Sequence, residues 1–188
     1  MNNNVSIIVG GSGQFGITLA EKLVKKNKVL VTTRSVKKCK NKFRHLKEVA
    51  INKLNIQNKK DIENLLFKVK PKEIFYFAGQ SSPALSFKKP KETYISNFLG
   101  CRNFLEVIHK LKINCKFLNA SSCEIYGNIK GKLGLKTRKN PVSPYGKSKL
   151  ASFKITKKFR ENKNLNAYNA IIFNTESIYR DNNFLISK

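Results

Sequence analysis

Val5-Ser6-Ile7-Ile8-Val9 is a short, mostly β-branched run that stops at a glycine, and Gly10-x-x-Gly13-x-x-Gly16 then leads into Ile17–Lys26, where Leu19 and Leu23 recur at helical spacing. This order predicts strand, tight turn and helix. In such a turn the first glycine takes a positive φ, the second lets backbone N–H groups approach a pyrophosphate, and the third lets helix and strand pack closely. The helix N-terminus adds the positive end of a macrodipole, which favours an anion at the same place.

The alternation continues along the chain. Apolar runs at Val29–Thr33, Val49–Lys53, Ile74–Ala78, Lys116–Ala120 and Ala167–Phe173 read as further strands. Amphipathic stretches at Gly16–Lys26, Lys60–Val69, Glu92–Leu111 and Pro144–Asn162 read as helices, the third with Phe98, Cys101, Leu105 and Ile108 on one side. Strands alternating with helices predict the α/β class: a Rossmann-like, doubly wound parallel sheet with helices on both faces and right-handed crossovers. A chain of 188 residues buries one sizeable core rather than two. Residues 1–173 are expected to form a dinucleotide-binding domain. The basic stretch Ser35–Lys47 reads as a solvated loop or frayed helix.

A formal net charge of +27 raises the question of nucleic acid or another polyanion. Only six of the 38 basic residues are arginine, and the lysines are scattered among asparagines along the whole length. A nucleic-acid footprint concentrates Arg and Lys on one face, so nucleic acid is not the expected partner. The four cysteines lack paired spacing and the two histidines do not complete a zinc set, so no metal is expected and a reduced compartment fits. No apolar run approaches the length of a membrane span, and the asparagine-rich start has no signal-peptide core. A cytoplasmic protein without a membrane partner is expected.

Chemistry-bearing residues sit where strands should end. Thr33-Arg34-Ser35 closes the second strand, where an acidic residue would bind an adenosine ribose 2′-hydroxyl; Arg34 instead offers a planar fork to a 2′-phosphate, which favours NADP. Tyr145 and Lys149 lie one helical turn apart on one face of the last predicted helix. A phenol near pKa 10 is a poor base at neutral pH, and a neighbouring ammonium is expected to stabilise its phenolate. Lys149 can also hold a nicotinamide ribose. Ser122, just past the fifth strand, can hydrogen-bond a substrate hydroxyl that Tyr145 deprotonates, and Glu124 adds a carboxylate two residues on.

Six stretches carry a resemblance over nearly the whole chain: Gly10–Gly16, Ala78-Gly79-Gln80-Ser81, Asn97-Phe98-Leu99-Gly100, Ala120–Gly127, Ser143–Lys149 and Phe173-Asn174-Thr175-Glu176-Ser177. Together they resemble the extended short-chain dehydrogenases/reductases, and within them the GDP-mannose 4,6-dehydratase family. The last stretch is the most discriminating. The resemblance implies NADP contacts at Gly10, Gly13, Gln14, Phe15, Gly16, Arg34, Asn55, Ala78, Gln80, Tyr145 and Lys149, and nucleotide-sugar contacts at Ser81, Ser122, Glu124 and Asn174. It implies catalysis by Ser122, Glu124, Tyr145 and Lys149, with Glu124 separating water loss from plain epimerisation or reduction. Asn55 stands where the family carries an aspartate, Ser122 where it carries threonine, and Leu135 and Val142 where an acid and an arginine are expected. Family members continue into a smaller substrate domain, so residues 174–188 are expected to be the start of a truncated substrate-binding region. Three alternatives stay open: a non-catalytic NADP-binding remnant, half of a split enzyme completed by another chain, or a nucleotide-sugar epimerase or reductase. A homo-oligomer is expected by analogy with the family.

Overall fold

The computed structural model describes residues 4–180. Six parallel strands form one sheet in the order β3-β2-β1-β4-β5-β6. They are β1 (Val5–Val9), β2 (Lys28–Thr33), β3 (Ala50–Lys53), β4 (Glu73–Tyr76), β5 (Lys116–Ser122) and β6 (Ala167–Ile172). The strand order reverses direction between β1 and β4, which opens a crevice at the carboxyl ends of both strands. α1 (Gln14–Leu23) and α2 (Val36–Lys42) cover one face; α3 (Lys59–Val69), α6 (Gly100–Lys110) and α7 (Pro144–Lys163) pack on the other.

β1 is an unbroken apolar run because both of its faces are covered. Ile7 packs with Leu66, Ile74, Phe104 and Phe117 on one side of the sheet, and Ile8 with Ile17, Ala20, Val31 and Cys39 on the other. The glycine turn behaves as its spacing requires. Gly10 has φ +74° and its Cα lies against the backbone of Ala78, so a side chain there would collide. Gly16 packs against the backbone of Gly11, which brings α1 close to β1. Gly13 has no neighbouring atom within 4 Å on its side-chain side.

Of the Ser35–Lys47 stretch, read as a solvated loop or frayed helix, Val36–Lys42 is helical, and it is not wholly solvated, with Cys39 and Phe43 buried against α1 and β2. Its lysines hide the signal, because they leave only one buried position per turn. The expected helix Glu92–Leu111 is a composite rod, with α5 (Pro90–Tyr94), a π-turn (Ile95–Leu99) and α6 in continuous right-handed conformation. The π-turn coincides with polar side-chain work. Asn97 is buried and donates through Nδ2 to Gln80 O (3.1 Å) and to Ser148 Oγ (3.0 Å), tying the rod to α7. A short helix, α4 (Pro83–Lys88), capped by Ser82, was not anticipated. No helix of the described residues is long and apolar enough to cross a membrane.

Candidate active site

β5 ends at Ser122, and its hydroxyl accepts from the Glu124 amide at 3.3 Å, capping the single 3-10 turn Cys123–Ile125. That turn presents Glu124 at the carboxyl edge of the sheet. α7 begins beside it with Ser143 as N-cap, its Oγ accepting from Gly146 N at 3.0 Å, and Pro144 in the first turn. Tyr145 N donates to Ser86 Oγ at 3.0 Å, which fastens the start of α7 to α4. Gly146 faces the Glu124 carbonyl at 2.7 Å from where a Cβ would stand, so the two segments approach more closely than any side chain permits.

Tyr145 and Lys149 are 8 % and 7 % exposed, and the ammonium sits 5.8 Å from the centre of the phenol ring. Lys149 Nζ donates to Ala120 O at 2.8 Å. Burial lowers the Lys149 pKa from 10.5 to about 8. The expectation that the ammonium pulls Tyr145 down is corrected here. Burial pushes the Tyr145 phenol up, Glu124 and Cys123 add to that, and only hydrogen bonding to the Ser122 side chain opposes it. Nζ is committed to the Ala120 carbonyl and shares the phenol's desolvated surroundings, so withdrawal from water dominates the pair.

These groups line one cavity of about 510 Å³. Gly13, Gln14, Phe15, Gln80, Ser81, Ser122, Glu124, Tyr145, Lys149 and Asn174 all border it, so ten of the sequence-derived site residues converge. Gly10, Gly16 and Ala78 lie behind the wall as turn and packing residues. Arg34 and Asn55 are exposed and do not border this cavity; Asn55 Oδ1 accepts from Gln57 N at 3.1 Å. The cavity also has walls that the sequence reading missed: Lys42, Phe77, Ser121, Thr175, Tyr179 and Arg180. Ser121 shares the carboxyl end of β5 with Ser122, which is the signal that could have found it, whereas Lys42 and Tyr179 are placed by α2 and by a loop that carry no periodicity. Ser121 Oγ is buried with no partner, a polar atom available to a ligand. Residues 181–188 of the expected substrate region lie outside the described residues.

A dinucleotide fits this frame on three observations. The open side of Gly13 leaves backbone at the α1 N-terminus accessible, Ser121 offers an unmatched hydroxyl, and no acidic side chain borders the cavity near Gly13–Phe15.

Known proteins give the same picture. The fold aligns with a UDP-glucuronic acid 4-epimerase from Bacillus cereus, solved in complex with NAD, at a TM-score of 0.85 and 18% identity, covering 97% of this chain and 61% of that one. It aligns equally with a dTDP-glucose 4,6-dehydratase from Streptomyces venezuelae, solved with NAD, at a TM-score of 0.85 and 18% identity, over 97% of this chain and 60% of that one. The fold is thus the Rossmann-like α/β fold that these structures share. In sequence, a GDP-mannose 4,6-dehydratase from Vibrio cholerae serotype O1 is 32% identical over 100% of this chain and 54% of its own length. The human GDP-mannose 4,6 dehydratase is 31% identical over 98% of this chain and 54% of its own length. The chain therefore spans about half the length of these curated relatives. The profile of the family described as GDP-mannose 4,6 dehydratase matches residues 7–188, and the chain belongs to that family.

Proposed function

We propose that this chain is the cofactor-binding and catalytic half of a cytoplasmic GDP-mannose 4,6-dehydratase, a lyase that forms GDP-4-keto-6-deoxymannose through an internal NADP cycle. The carrying observation is the convergence of Ser122, Glu124, Tyr145 and Lys149 on the glycine-lined cavity. Gly13, Gln14 and Phe15 would hold the pyrophosphate, Gln80 and Lys149 the nicotinamide end, and Ser81 and Asn174 would meet the sugar nucleotide, while Arg34, outside the cavity at the end of β2, would meet the 2′-phosphate. The arginine and the absence of an acid after β2 support NADP over NAD. A nicotinamide held by Gln80 and Lys149 would supply the hydride chemistry, oxidation at C4 of the hexose and reduction at C6.

The chain's own groups move the protons. Tyr145 takes the proton from O4 as the C4–H bond is oxidised, with Ser122 holding the same oxygen. The positive charge of a bound nicotinamide would oppose the burial that raises the Tyr145 phenol. Glu124 then removes the C5 proton, acidified by the new 4-ketone, and delivers it to the departing O6 as water leaves; reduction at C6 requires a proton at C5, and the one that Tyr145 took from O4 balances it. The guanosine end is assigned to residues beyond these 188, in a continuation of the chain or on a second polypeptide, because the relatives are nearly twice as long.

Incubation of the protein with NADP⁺ and GDP-mannose tests this by mass spectrometry. The expected product is a sugar nucleotide lighter by one water. Glu124→Gln should stop water loss while retaining reversible oxidation at C4, seen as transient reduced cofactor. A Glu124→Gln protein that dehydrates at the wild-type rate removes the assignment.

A further inference from the structure

Beyond β6 the chain stays on the molecule. Phe173–Arg180 forms a strap whose Asn174, Thr175, Tyr179 and Arg180 wall the cavity, and it is fastened to α1 at two places. At the first, Gln14 Nε2 donates to Thr175 O at 3.2 Å and Ser177 Oγ donates to Gln14 Oε1 at 3.0 Å. At the second, two turns further along α1, the Tyr179 hydroxyl donates to Glu21, which also meets His45 Nε2 at 3.0 Å. The Tyr179 ring stacks on the His45 imidazole, centroids 5.8 Å apart and planes 12° apart. The polarity of this node is fixed: its hydrogen bond from Tyr179 holds the Glu21 carboxyl below its usual range, while Glu21 holds the phenol above its own. Neither Glu21 nor His45 borders the cavity, so the catalytic scheme leaves them without a task.

We propose that Glu21, His45 and Tyr179 act as a clasp that holds the Phe173–Arg180 strap against α1 and so sets the rate at which a dinucleotide leaves the cavity. The strap forms one wall of the cavity, so a ligand seated between Gly13 and Arg180 would lie against it, and the clasp is its distal anchor. Glu21 and His45 are positioning residues that act through Tyr179. The role in release rests on the cofactor reading above; the anchoring of the strap does not.

Stopped-flow NADPH fluorescence and hydrogen exchange of the strap amides separate the two. Tyr179→Phe keeps the ring on His45 but removes the hydroxyl, and is expected to speed NADPH release about five-fold. The same variant should accelerate exchange at residues 175–180 without cofactor. Glu21→Ala should match it, while Glu21→Gln, which keeps an acceptor oxygen, should recover most of the wild-type release rate. Unchanged strap exchange in Tyr179→Phe and Glu21→Ala overturns the clasp. Faster exchange with an unchanged release rate overturns its control of release. A wild-type protein with no affinity for NADPH defeats the cofactor reading, and strap exchange then decides the clasp alone.

Discussion

Lys149 carries the sharpest consequence of burial in this protein. Its pKa is about 8 in the folded state against 10.5, so at neutral pH a buried ammonium opposes folding. The unfolded chain binds more protons than the folded one between those values, so stability rises as pH climbs from about 8 to 10.5. Lys149→Met should stabilise the protein at pH 7 by on the order of 2 kcal/mol, less the lost bond to Ala120, with the advantage shrinking toward pH 10 in thermal melts. A constant difference across that range would contradict the burial account. Tyr145→Phe should leave the melting temperature near wild type and lower turnover by about 10²–10⁴-fold. The candidate residues that gather at the cavity were legible in the sequence because each is tied to a short local pattern: a strand end for Ser122 and Glu124, one helical turn for Tyr145 and Lys149. What was not legible is the direction in which Tyr145 shifts, since its burial is set by packing between elements distant in sequence, such as α4, whose Ser86 meets the Tyr145 amide.

The glycine turn shows how one motif divides its labour between element packing and ligand access. Gly16→Ala should destabilise the fold, because its Cβ would enter the backbone of Gly11. Gly13→Val should leave the fold intact and block the approach to the α1 N-terminus, since open space surrounds that position. Chemical denaturation and cofactor titration of the two variants distinguish these outcomes. The six strands were legible to within about two residues because both-face burial makes them continuous apolar runs. α2 and the π-turn were not. The first buries little beyond Cys39, and the second is set by Asn97 reaching Ser148 and Gln80 across the fold, which no local pattern reveals.

Taken together, the elements place a crevice bordered by Lys42, Lys149, Arg180 and Glu124 inside a strongly cationic protein. With a net charge of +27, self-repulsion opposes the compact state, so added salt should raise the melting temperature, and RNA retained at low salt should be released at moderate salt without loss of structure. The class of fold followed from the alternation of runs, but the way Phe173–Arg180 returns across the sheet to α1 is a tertiary event joining positions 14 and 177, which sequence spacing does not encode. The most direct measurement is a calorimetric titration of NADP⁺ into the wild-type protein and Gly13→Val side by side. Saturable binding of one dinucleotide per chain that is lost in a normally folded Gly13→Val variant is the predicted result; no binding to the wild type, or equal affinity in both, contradicts a cofactor seated at the α1 N-terminus facing Tyr145 and Lys149.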